Sequence, residues 1–309
     1  MTKSQIKKDK IKETKKRKWR SLPGYLMISP WLVGFFGLII GPMIYSLYLS
    51  FTDYDILTPP QWTGFANYVE LFTNDPRFIK SLKATLIFVI IGVPLKLAFS
   101  LFLAMLFNTG RKGSGLFTTI YYIPSIIGGS VSIAVVWRQM FGGKGVVNTF
   151  LETLGLDRIS FFGETNAAMF ILILLIVWQF GAPMIIFLAG LRQVPTELYE
   201  AASIDGAHVF SRFFKITLPM ITPIIFFNLV MEMINGFMTF TQAFLITQGG
   251  PRDSTLFIAV YLYETAFEFL NMGYASAMAW VFLIIIGVFT LILFKTSNLW
   301  VHYESNGGN

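Results

Sequence analysis

The chain has 309 residues, 54% of them hydrophobic, 17% aromatic and only 13% charged. A water-soluble domain of this size cannot hide so much apolar surface, so its solvent is lipid. The formal charge of +7 comes largely from ten Lys and Arg residues crowded into Met1–Arg20, and no aromatic-interleaved basic surface follows, which excludes nucleic acid as a partner.

Residues 1–25 form a basic segment, and a basic head before a first span keeps that end in the cytoplasm. The span that follows is longer than the apolar core of a cleaved signal peptide. A span needs about 20 mainly apolar residues. Six segments qualify, roughly Leu26–Phe51, Ala84–Phe107, Leu116–Val136, Ala167–Leu191, Leu218–Ile246 and Ala275–Phe294. They predict an all-α integral membrane protein, with a permease-like core over residues 26–295 and a cytoplasmic tail over 296–309. Sixteen basic residues fall on the side of the N-terminus and six on the other, with Lys83 at the border, so both ends are placed in the cytoplasm. Pro42, Pro94, Pro124, Pro183 and Pro223 lie within spans and predict kinks, which a bundle tolerates when neighbours re-satisfy the freed carbonyls. On the far side, Val146–Leu154 reads as a small amphipathic helix. Thr255–Leu270 is apolar enough to lie in the interface or to cover the outer mouth.

Few polar groups interrupt the spans. Lys96, near the middle of the second, is the one basic residue deep inside a span. Two readings stand for it: a buried pair with Glu232 or with helix carbonyls, or a positive group for an acidic, uronate-bearing oligosaccharide. In the fourth span Trp178 and Gln179 lie near mid-membrane, followed by the Gly181-Ala182-Pro183 break. An aromatic face beside amide and carboxylate groups suits a sugar, whose C–H faces stack while its hydroxyls need donors and acceptors. The fifth span carries Asn228, Glu232, Asn235, Thr239 and Gln242, spaced four, three, four and three apart. On a helix that spacing draws one stripe, which at this depth must face the bundle interior, a partner or a wet cavity. Such groups also serve as hydrogen-bonding glue between helices, so both roles stay open.

Between the fourth and fifth spans, residues 192–217 form a polar loop. Pro195-Thr196 predicts a helix start with Thr196 as its cap and Glu197 and Glu200 at the positive end. Asp205-Gly206 breaks it, and a second short helix is expected from Ala207 to Leu218-Pro219. The loop reads Glu200-Ala201-Ala202, Gly206 after three residues, then nine residues, then Ile216-Thr217-Leu218-Pro219. This EAA-x3-G-x9-I-x-L-P pattern resembles the signature loop of permease subunits of binding-protein-dependent ABC importers. The resemblance extends to Pro30-Trp31, Gly64-Phe65-Ala66-Asn67-Tyr68, Tyr122-Ile123-Pro124 and Gly249-Gly250-Pro251, which look like the carbohydrate permeases of the maltose-importer group. It implies a type I importer permease fold in a bacterial cell membrane. It also implies a heterodimer with a second permease, two cytoplasmic ABC ATPase subunits that bind ATP and Mg, and an extracytoplasmic solute-binding protein delivering the sugar. By the same resemblance Glu200 meets a basic group on the ATPase, Ala201 and Ala202 allow close packing, Asp205-Gly206 sets the bend, and Gln179, Glu232 and Thr239 sit where that group's sugar acceptors lie.

Other classes fit less well. Cysteine is absent and His208 and His302 are far apart, so neither a thiolate site nor a histidine metal cluster is expected. The spans lack the paired acids or nucleophile–base set of a membrane-embedded enzyme. Gly142-Gly143-Lys144-Gly145 lacks the spacing of a phosphate loop, so no nucleotide or other cofactor is expected on this chain and ATP falls to a partner. A secondary, ion-coupled transporter is the remaining alternative; it normally shows two related halves and more ionisable groups than Lys96 and Glu232.

Overall fold

The structure is a computed structural model that describes residue 24, residues 26–108 and residues 114–302. The basic head, the Arg111-Lys112 pair and the last seven residues lie outside the described residues.

Three helices are long and apolar enough to cross a membrane: α1 (Leu26–Leu49), α3 (Pro76–Phe107) and α13 (Met272–Trp300). Between α1 and α3 a short hairpin pairs β1 (Thr52–Asp53) with β2 (Gln61–Trp62), and α2 (Ala66–Thr73) follows. The other three expected spans are present as bent pairs rather than single rods. The third is α4 (Ser114–Ile127) and α5 (Val131–Met140), bent by 94°. At this break Gly128 makes room for the Gln179 side chain, into which a Cβ would run, and Ser130 restarts the helix by accepting the amide of Ile133 at 3.4 Å. The short helix α6 (Val146–Thr153) forms where the amphipathic pattern put it.

The fourth span comprises α7 (Thr165–Trp178) and α8 (Gly181–Leu191), bent by 43°. Two hydroxyls from other helices satisfy this break. Ser125 donates to the Gln179 carbonyl at 2.9 Å and accepts the Ala182 amide at 3.0 Å, while the Ser100 hydroxyl lies 2.9 Å from the Phe180 carbonyl. Gly181 is needed for this contact, since a Cβ there would stand 2.8 Å from the Tyr121 carbonyl. Ser125→Ala therefore leaves two part-buried backbone groups without their partner. It is expected to cost about 1–3 kcal/mol, read as a lower thermal midpoint of the detergent-extracted protein.

Across residues 196–220 the chain forms α9 (Thr196–Ile204) and α10 (Val209–Met220), the latter with a π-helical turn at Phe213–Thr217. The fifth span bends by 66° at Ile221 before α11 (Thr222–Phe237), whose first turn holds Pro223 without strain. The last helix before α13 is α12 (Ile258–Tyr263), continued as a π-helical turn over Glu264–Glu268.

α3 is the spine of the bundle, packed against α7, α8 and α11. Phe88, Gly92, Lys96, Ser100 and Ala104 are all buried on it at four-residue spacing. Glycines bring the helices close: a Cβ at Gly92 would stand 3.2 Å from Ile176, and one at Gly236 3.1 Å from Val93.

At the end of the bundle away from α9, side chains clasp the last loop. Asp75 caps α3 by accepting the Phe78 amide at 3.0 Å, and takes the hydroxyls of Tyr261 and Tyr274 at 2.7 Å each. Arg77 pairs with Asp253 at 3.3 Å and Glu264 at 3.1 Å and lies over the Tyr261 ring. Burial lifts the Glu264 carboxyl above the usual carboxylate range, against the pull of Arg77. It likewise lifts the Tyr261 hydroxyl, with Asp75 adding to the shift. The Thr255–Leu270 segment is thus packed against the bundle. Leu256, Phe257, Ile258 and Val260 are fully buried in the bundle, and Phe267 and Phe269 are its exposed large residues.

Candidate functional site

Two features stand out, a knob at one end and a cavity in the middle. The knob is α9, its turn and the start of α10. Pro195, not Thr196, occupies the cap position of α9, and no side chain caps it. Thr196 is already helical, which corrects the expected boundary by one residue. At the other end Gly206 adopts φ +71°, a left-handed conformation that glycine takes without steric cost. Its amide reaches the Ser203 carbonyl at 3.1 Å, and the Ala207 amide reaches Ala202 at 2.9 Å. Because Ala207 is spent closing α9, the second helix starts at Val209 rather than Ala207. Tyr199 and Thr217 join their hydroxyls at 2.8 Å across the two helices. Glu200, Ala201, Asp205 and Gly206 are exposed and Ala202 is half-buried. Beside them Ile204, Val209 and Phe210 are 87%, 75% and 79% exposed.

The cavity has a volume of about 490 Å³ and lies between α3, α4, α7, α8, α11 and the residues after α11. Its polar wall includes Lys96, Gln179, Glu232, Asn235, Thr239 and Gln242. Phe88 and Phe240 add aromatic faces, and Phe240 is itself stacked on Phe244 with ring centroids 5.1 Å apart. The Lys96 ammonium and a Glu232 carboxylate oxygen meet at 2.6 Å, with both side chains 9% exposed. This is the paired reading of Lys96, and it leaves both groups on the cavity wall.

The stripe on the fifth span is brought together in part. α11 ends at Phe237, so Thr239 and Gln242 lie beyond it, past a break at Met238. They nevertheless line the same cavity as Glu232 and Asn235. Asn228 does not; it is 1% exposed, and its amide nitrogen has no hydrogen-bond partner among the described residues. Trp178 is also displaced from the expected site. α7 ends at Trp178 and Gln179 leaves the helical conformation, so neighbouring side chains diverge. Gln179 faces the cavity, while the Trp178 indole packs on Trp137 with ring centroids 5.7 Å apart.

A family described as the binding-protein-dependent transport system inner membrane component matches residues 19–301. The chain belongs to that family. Among relatives of this inner membrane component, the probable ABC transporter permease protein YesP of Bacillus subtilis is 52% identical over 96% of this chain and 97% of its own length. The lactose transport system permease protein LacF of Rhizobium radiobacter is 30% identical over 90% of this chain and 95% of its own. Among solved structures, a chain of the bacterial alginate ABC transporter, in complex with an alginate pentasaccharide-bound periplasmic protein, matches with a TM-score of 0.80. That match is 26% identical and covers 91% of this chain and 96% of that one. The fold is therefore that of an ABC importer permease, a membrane subunit rather than an enzyme, as the EAA loop implied.

Sequence reasoning missed part of this permease's cavity. Ser125, Gly129, Met238 and Thr241 line it beside the residues expected there. A lone serine in an apolar span carries no periodic signal, and Ser125 gains its place only from the break in the neighbouring span. Thr241 lay in view between Thr239 and Gln242 but off the helical stripe, which the break after Phe237 makes irrelevant.

Proposed function

We propose that this chain forms, with a second permease, the translocation pathway of an ATP-driven importer for a sugar or oligosaccharide. The observation that carries the reading is the knob. A polar loop at one end of a membrane bundle exposes Ile204, Val209 and Phe210 beside Glu200 and Asp205. Exposed apolar groups rimmed by charge mark a protein-docking surface. The partner that fits is an ABC ATPase, whose closure on ATP and Mg would push the knob and move the fifth span. The knob then faces the cytoplasm, with both chain ends on that side, and the clasped loop around Asp75 and Arg77 faces a solute-binding protein. The bundle sits in a bacterial cell membrane.

The cargo reading rests on the cavity. Amides of Gln179, Asn235 and Gln242, the Thr239 hydroxyl and the Phe240 ring offer the mixed donors, acceptors and aromatic surface that a saccharide requires. Lactose and alginate appear in the descriptions of similar proteins, and alginate is an acidic polysaccharide. A cation on the wall, Lys96, supports an acidic, uronate-containing cargo.

Gentle detergent extraction from native cells, with mass spectrometry of whatever stays bound, tests the assembly. A second six-span permease and a P-loop ATPase are the expected companions. Recovery of this chain alone or only with itself would overturn the reading and favour an ion-coupled transporter.

A further inference from the structure

The Lys96–Glu232 pair poses a problem for an acidic cargo. Among the described residues Lys96 is the one cation on the cavity wall, and Glu232 already holds it at 2.6 Å. A cargo carboxylate reaches Lys96 only by displacing Glu232. The displaced carboxylate would then stand unpaired at a depth where an isolated charge is strongly disfavoured. Exchange needs a second partner for Glu232.

Asn228 is placed to be that partner. It lies four residues before Glu232 on α11, so the two share a face one turn apart. Helical side chains lean toward the helix N-terminus, which directs Glu232 back over Asn228. The Asn228 amide nitrogen is buried and has no hydrogen-bond partner among the described residues. Buried polar atoms are nearly always bonded, so an orphan calls for an explanation. The facing helix offers no rival donor at Ser100, whose hydroxyl is spent on the Lys96 and Phe180 carbonyls at 2.6 and 2.9 Å.

We propose that Asn228 is a waiting donor: when a cargo carboxylate takes Lys96, Glu232 swings one turn down its helix and is held by the Asn228 amide. Glu232 is thus a resident stand-in for the cargo's acid, and Asn228 sets the ease of its release. The proposal rests on the acidic-cargo reading above.

The test uses the complete importer, with its second permease, ATPase and binding protein, in proteoliposomes. Digalacturonate and its neutral counterpart digalactose are the probes. Asn228→Leu is expected to raise the half-saturating digalacturonate concentration about tenfold or more, the worth of a hydrogen bond to a charged group. The thermal midpoint should not fall, because leucine fills similar space without an orphaned donor. In a Glu232→Gln background, where the amide oxygen still accepts from Lys96 and so spares the pair the loss expected of an alanine, the same substitution should shift half-saturation by less than about twofold, since no carboxylate needs rehousing. Equal shifts in both backgrounds, no shift in either, or a lowered midpoint would each overturn the exchange while leaving the acidic cargo standing. Uptake of digalactose but not digalacturonate by the unaltered importer would overturn the acidic reading and the exchange together.

Discussion

Gly206→Pro is expected to abolish ATP-driven uptake while leaving the protein in the membrane at its normal level. Proline fixes φ near −65°, whereas residue 206 sits at +71°. The substitution also removes the amide that reaches the Ser203 carbonyl. The turn cannot close as it does now, so α9 is re-aimed relative to α10, and the exposed Ile204, Val209 and Phe210 no longer present one surface. None of this touches the spans, which is why insertion should survive. Glu200→Lys tests the same surface without altering the backbone: Glu200 is exposed on α9, and its reversal should impair uptake through charge alone. Uptake assays beside quantification of the membrane fraction separate the two effects. Normal transport by both variants would remove the coupling role from this loop.

The second large effect is expected at the buried pair. Lys96→Ala leaves Glu232 without its cation inside the bundle. Breaking a buried pair by removing one partner costs about 3–5 kcal/mol, enough to lose most of the protein from the membrane. Exchanging the charges, Lys96→Glu with Glu232→Lys, keeps a pair on the same two helices and should recover part of the loss. Recovery is measured as yield and thermal midpoint against each single variant. A double variant no better than either single one would show that the 2.6 Å contact is not what holds these groups.

Much of this architecture was legible in the residues. The six apolar segments, the knob with its glycine turn and the short helix at Val146 each follow from local chemistry: run length, a turn signal, an amphipathic pattern. The Lys96–Glu232 pair was legible too, because two opposite charges deep in an apolar bundle have few other places to go. The bends were legible in part. The Gly181-Ala182-Pro183 break and Pro223 lie beside the bends of 43° and 66° in the fourth and fifth spans, yet the sharpest break, 94°, falls after Pro124, at Gly128-Gly129, where proline position alone does not put it. Trp178 shows the same limit. Its distance along the span put it level with the cavity, but one residue's departure from helical geometry at Gln179 decided which of the two neighbours faces inward. Asn228 belonged to a faultless stripe and still lies outside the cavity, because periodicity assigns a face and says nothing of where along that face the space ends.

The Ser125 and Ser100 hydrogen bonds to the break in the fourth span have a mechanical consequence. A kink whose open backbone groups were satisfied by water or by its own side chains could flex alone. Here the carbonyls of Gln179 and Phe180 and the amide of Ala182 are bonded by hydroxyls carried on α4 and α3. Straightening or sharpening the fourth span would tear those bonds out of their partners. The middles of spans two, three and four are therefore cross-braced, so that a change in the kink of the fourth has to carry Ser125 and Ser100 with it.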